Sequence, residues 1–174
     1  MKLGCSYFGN RNFDTVKKEL YSLRNKGFNA ILHTFTENDQ KYYLDAMQKI
    51  VRFSKEIGFE VYVNPWGVGQ VFGGEAFSLF TSLYPEANQK NDAGEILPAA
   101  CFNNEIFQDF MKQWIKDAIS LDTDYIFWDE PHWFIDRLFT KKFKSGKACF
   151  CESCNKKFHK ENKIVTTKQE REEK

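Results

Sequence analysis

Phe28-Asn29-Ala30-Ile31-Leu32-His33 is a short apolar run set between two stretches of helical periodicity, and that setting decides the fold class. Before it, Val16, Leu20 and Leu23 recur at helical spacing behind Asp14, a candidate cap, and Gly27 closes the helix. After it, a longer helix is expected from about Asp39 to Ile57, with Leu44, Met47, Ile50, Val51 and Ser54 on one side and Gly58 as its stop. Outward from there the pattern repeats. Lys2 to Phe8 reads as a first strand, Phe59 to Asn64 as a third, and Asp124 to Trp128 as a fourth. A helix from about Asn104 to Leu121, striped by Phe107, Phe110, Met111, Trp114, Ile115 and Ala118, precedes the last of these. Strands alternating with amphipathic helices predict an α/β fold of parallel strands and crossover helices.

Two architectures share that order: a doubly wound sheet, and the first half of an eight-fold (β/α) barrel, which normally takes about 250 residues. At 174 residues the chain has length for one domain, taken as 1–160 with a Cys-rich loop at 146–159. The remainder, 161–174, reads as a charged tail that is frayed or disordered. Half a barrel leaves two strand edges and one sheet face uncovered, so it calls for self-association or for a C-terminal half. The stretch from Pro65 to Asn104 is long for a connection and rich in aromatics, so it should contain minor helices or cover a site.

Lys and Arg total 25 against 24 acidic residues, a balance that gives no electrostatic reason for a nucleic acid or an anionic membrane as partner. No stretch approaches the ~20 apolar residues that span a bilayer. With no apolar leader at its start and three crowded cysteines, the chain is expected in the cytoplasm.

In parallel α/β folds the strand C-terminal ends share one face. His33, Asn64, Trp66, Trp128, Asp129, Glu130 and His132 all follow strands and can converge there. The Trp rings suit the apolar face of a sugar-like ligand, and Asn64 and His33 suit its hydroxyls. Glu130 beside aromatics suits a general acid; alternation turns one of Glu130 and Asp129 inward and the other outward or toward a loop, and Glu130 is taken as the inward one. A carboxylate after a strand is also a common helix cap or ion-pair partner, and Trp128 is equally good core filling. A third arrangement gathers His33, His132 and Asp129 around a hydrolytic metal. The glycines Gly67, Gly69, Gly73 and Gly74 lack the Lys-Ser/Thr of a phosphate loop.

Cys149, Cys151 and Cys154 follow Cys-x-Cys-x-x-Cys, with His159 five residues on. These four are a candidate tetrahedral zinc set, with Cys101 and His132 as rival fourth ligands. An unligated reduced cluster is the alternative. If metal is held, a structural staple is expected rather than a hydrolytic centre.

Leu97-Pro98-Ala99-Ala100-Cys101-Phe102-Asn103-Asn104, Tyr125-Ile126-Phe127-Trp128-Asp129-Glu130-Pro131-His132 and Cys149-Phe150-Cys151-Glu152-Ser153-Cys154 with Phe158 resemble the N-terminal half of uncharacterised (β/α)-barrel proteins related to glycoside hydrolases. The resemblance runs from about Lys2 to His159. It implies a barrel with a carbohydrate or other polyhydroxylated ligand, Asn103 among the binding residues, and an acid/base Glu ending the fourth strand. Glu130-Pro131 matches the Glu-Pro of that site, with Asp129 where an Asn is usual. The nucleophile Glu of such proteins comes from a seventh strand, which this chain lacks. A catalytically inactive fragment or interaction module is the implied alternative.

Overall fold

The computed structural model describes residues 1–134, 143 and 148–162. Four strands form one parallel sheet: β1 (Gly4–Tyr7), β2 (Ala30–Thr34), β3 (Glu60–Asn64) and β6 (Tyr125–Ile126). They lie in chain order, β1-β2-β3-β6. Registers run Gly4 opposite Ala30, Ala30 opposite Glu60 and Tyr62 opposite Tyr125. The mixed α/β class with parallel strands is therefore as the sequence predicts. Among the described residues no helix is long and apolar enough to cross a membrane.

The helices follow from local chemistry. Helix α1 (Phe13–Asn25) starts at Asn12, whose side chain accepts from the Thr15 N–H, so Asn12 takes the capping role expected of Asp14. Val16 and Leu20 are buried on its inner face. The single long helix expected from Asp39 is two. Thr36 and Asp39 form a reciprocal capping box that starts α2 (Glu37–Tyr42), and Tyr43 leaves helical geometry before α3 (Leu44–Glu56) begins. Met47, Ile50, Val51, Phe53 and Ser54 of α3 are buried. Helix α5 (Glu105–Ser120) is capped by Asn104 and buries Phe107, Trp114 and Ala118. The Trp114 indole donates to the Phe35 carbonyl at 3.1 Å, tying α5 to the end of β2.

Period-two alternation sorts the strand residues. Ile31, His33, Val61 and Val63 are buried beneath the helices, whereas Gly4, Ser6 and Tyr125 are exposed and Leu32 and Tyr62 half-buried. The second sheet face is thus a groove of about 450 Å³, lined by Gly4, Ser6, Leu32, Tyr62 and Phe127 among others.

The Pro65–Asn104 stretch is ordered by more than minor helices. It contains α4 (Leu79–Leu83) and an antiparallel hairpin of β4 (Asn88–Lys90) and β5 (Ile96–Ala100). Its anchor is a buried carboxylate. Glu37 accepts from the Gly69 N–H at 2.9 Å, the Ser78 hydroxyl at 2.6 Å and the Phe80 N–H at 2.7 Å. Glu37→Gln puts an amide donor among three donors, and is expected to cost about 2 kcal/mol. A shifted urea midpoint, with early protease cleavage between β3 and α4, is the readout; an unchanged midpoint removes this anchor.

Candidate metal centre

The Cys-rich stretch is not all loop. Residues Glu152–Asn162 form a helix, here α6, preceded by Cys149 in irregular chain and Cys151 at a bend. That chain is laid against the hairpin by a bridge between Asn91 and Ala148 and by the Phe150 N–H donating to the Lys90 carbonyl at 2.8 Å. Cys101 follows β5 directly, so the same hairpin delivers it to the three later cysteines. The Sγ atoms of Cys101, Cys149, Cys151 and Cys154 all lie within 4.8 Å of one another. Cys101 is 3.4 Å from Cys154 and 3.4 Å from Cys151. Around a tetrahedral zinc with ~2.3 Å bonds, sulfurs sit about 3.8 Å apart. The group can hold a metal ion with little movement.

His159, expected as the fourth member, lies outside the group, and Cys101 is the sulfur that joins the three later cysteines. Five residues along α6 from Cys154 is about 140° around the helix, which turns the imidazole to another side. His132 is outside the group too: its Nδ1 lies 2.9 Å from the Trp133 carbonyl and the residue is half-buried.

Partners outside the sulfurs hold the group in shape. The Asn103 amide donates to Cys154 Sγ at 3.3 Å and accepts from Lys157 Nζ at 3.0 Å, so Asn103 belongs to the rim of the cysteine cluster. Among the thiols, the Cys101 pKa is pushed up, first by its hydrogen bond to Cys149 and then by burial. Cys149 is pulled down to about 5 by accepting that bond. Burial raises Cys154 to about 11. All five cysteines are free of disulfides.

The strand-end residues are only partly brought together. Asn64 is fully buried, and its amide lies 3.4 Å from Asp129 Oδ2. Asn64 Oδ1 has no hydrogen-bond partner. Asp129 is further fixed by the Gly73 N–H donating to its carbonyl at 3.0 Å. Glu130 is exposed, with φ of 42°. Of the two carboxylates Glu130 is expected inward; instead pairing of β6 ends at Ile126 and the backbone turns at Glu130, so Asp129 is the carboxylate beside Asn64. His33 does not join them. It lies on the helix side of the sheet, fully buried, its Nε2 3.0 Å from the Ser54 hydroxyl of α3 and its ring edge against Tyr7. A metal gathered by His33, His132 and Asp129 is therefore unsupported: among the described residues the four cysteines are the one such cluster. Trp66 packs on Phe8 at 4.8 Å between ring centres. Trp128 packs against Phe72 and Trp114, yet keeps 44% of its surface exposed.

Against known proteins, no family model matches the chain and no curated protein matches it.

Proposed function

We propose that this chain is a β/α domain stapled by one zinc ion, with Cys101, Cys149, Cys151 and Cys154 as its four ligands. The observation that carries this reading is the mutual approach of four sulfurs from two distant parts of the chain. Four thiolates fill a tetrahedral shell and leave no open position for substrate or water, so the metal is structural. Asn103 supports the shell from outside by its bond to Cys154. The cytoplasm suits it, because a reducing compartment keeps such thiols available. Metal analysis of the purified protein is expected to give one zinc per chain, with absorption spectroscopy reporting four sulfurs at ~2.3 Å. A mixed nitrogen and sulfur shell, or no metal after expression with zinc supplied, would overturn the proposal.

A second reading takes the sequential parallel strands as the first half of a (β/α) barrel, with a polyhydroxylated ligand such as a carbohydrate at the strand ends. Asn64 favours it: a buried acceptor without a partner, beside the Asp129 carboxylate, is completed by a ligand hydroxyl. Asp129, the carboxylate beside Asn64, is then the candidate acid/base, and the remaining strands come from another polypeptide segment. Any glycosidase turnover should fall by two orders of magnitude or more in Asp129→Asn, in line with ~10²–10⁴-fold for acid/base groups. Unchanged turnover excludes Asp129.

A further inference from the structure

Beside the cysteine cluster is a cleft of about 560 Å³, within the ~300–1,000 Å³ range of small-molecule sites. It opens between α6, the Phe102–Asn104 turn and the strand-end segment that carries Glu130. Three aromatic side chains line it, Trp133, Phe150 and Phe158, which keep 44%, 48% and 55% of their surface exposed. Rings of this size held half-open around one concavity are unexplained by core packing.

The polar groups of the cleft narrow what it can take. Asn103 supplies an amide, and Lys157 and Glu161 lie on α6 with 4.0 Å between their charged atoms, so their charges offset. His159 also lines the cleft, and its Nδ1 is buried with no hydrogen-bond partner. Cys149 and Cys154 form one wall. With zinc bound, four thiolates carry a net charge of about −2 there, which repels phosphates and carboxylates. Open aromatic faces, hydroxyl-matching side chains and no excess positive charge define a site for an uncharged, ring-shaped, hydroxylated molecule.

We propose that this cleft binds a pyranose ring of a neutral oligosaccharide, stacked on Trp133 or Phe158 through its C–H face. The hydroxyls of that ring meet Asn103, Lys157, Glu161 and the free His159 nitrogen. The ring argument stands apart from the strand-end reading, because it uses different residues. The charge argument rests on the proposed zinc, so metal content is measured on the same samples.

The test is titration of the full chain with cellotetraose, xylotetraose, maltotetraose and galactotetraose, followed by tryptophan fluorescence and saturation-transfer NMR. At least one is expected to bind. Phe158→Ala and Trp133→Ala should each weaken it about tenfold, and Phe158→Tyr should restore it. Phe158 projects from α6, so its replacement reads this cleft and not the strand ends. Zinc content equal to that of the parent chain confirms that the variants are folded. No binding at millimolar sugar overturns the proposal, as does binding indifferent to both alanine variants. A trimethyl-lysine peptide that binds where the sugars do not overturns it too, showing the rings to be a cation cage. If zinc is absent yet a tetrasaccharide binds in a Phe158-dependent way, the cleft stands and the metal reading falls.

Discussion

Cys101→Ser is expected to abolish zinc retention and, at free zinc a thousand times the dissociation constant, to remove about 4 kcal/mol of stability. The reason lies in where Cys101 sits. It is fully buried at the end of β5 and is the contact shared by Cys151 and Cys154, so a hydroxyl there leaves three thiolates without a closing ligand. The effect should be local first. Segment 148–162 is held to the hairpin by few backbone bonds, and losing the metal should expose it to protease before the sheet melts. Cys5→Ser is the control, since Cys5 lies on β1 away from the cluster and should leave zinc content and melting temperature unchanged. Equal zinc content in Cys101→Ser and the parent chain would remove Cys101 from the ligand set.

The second large effect is acid sensitivity from His33. Burial, and secondarily the charge of Arg11, lower its pKa from 6.5 to about 3. As pH falls, the unfolded chain takes up this proton near 6.5, whereas the native chain resists until about 3. Stability from neutral His33 is therefore complete above pH 6.5 and is lost as pH falls toward 3, in total on the order of 5 kcal/mol. At pH 4.5 about half of that is already gone. His33→Leu fits the same apolar layer, and Ser54 keeps its bond to the Ile50 carbonyl at 2.8 Å. The variant should match the parent at pH 7.5 and exceed it by roughly 2–3 kcal/mol at pH 4.5 in urea unfolding. Metal release in acid acts on both proteins and cancels in the difference. A gap that does not change with pH would show that His33 is not held neutral in the native state.

Much of the architecture was legible because β2 and β3 are short apolar runs bounded by Gly or Pro, and α1, α3 and α5 carry their apolar stripes at helical spacing. Gly27 and Gly58, with φ of 91° and 90°, end their helices where the sequence places the stops. The β4–β5 hairpin was not legible, because Asn88-Gln89-Lys90 is polar and lacks a strand's apolar run. These side chains are spent on hydrogen bonds instead. Gln89, fully buried, donates to the Ala100 carbonyl and accepts from the Phe134 N–H. The break at Tyr43 was hidden as well, since no Gly or Pro marks it and α3 starts there without a side-chain cap. At the site, the Cys-x-Cys-x-x-Cys spacing marks three of the four sulfurs that cluster. The fourth needed the long-range pairing of Asn91 with Ala148, which no local pattern encodes. His33 and Glu130 miss the strand-end face for different reasons. His33 obeys the alternation and so falls on the helix side, while Glu130 lies beyond the last paired residue, where alternation no longer applies.

The hairpin's delivery of Cys101 has a mechanical consequence. A metal gripping Cys101 together with Cys149, Cys151 and Cys154 ties α5 and β6 inside one closed ring of chain. Strand β6 is in register with β3 over Tyr125 and Ile126 alone, flanked by the Asp124 and Phe127 N–H bonds to Val61 and Val63, the shortest seam of the sheet. Fastening both ends of the ring shortens the excursions by which that seam can peel away.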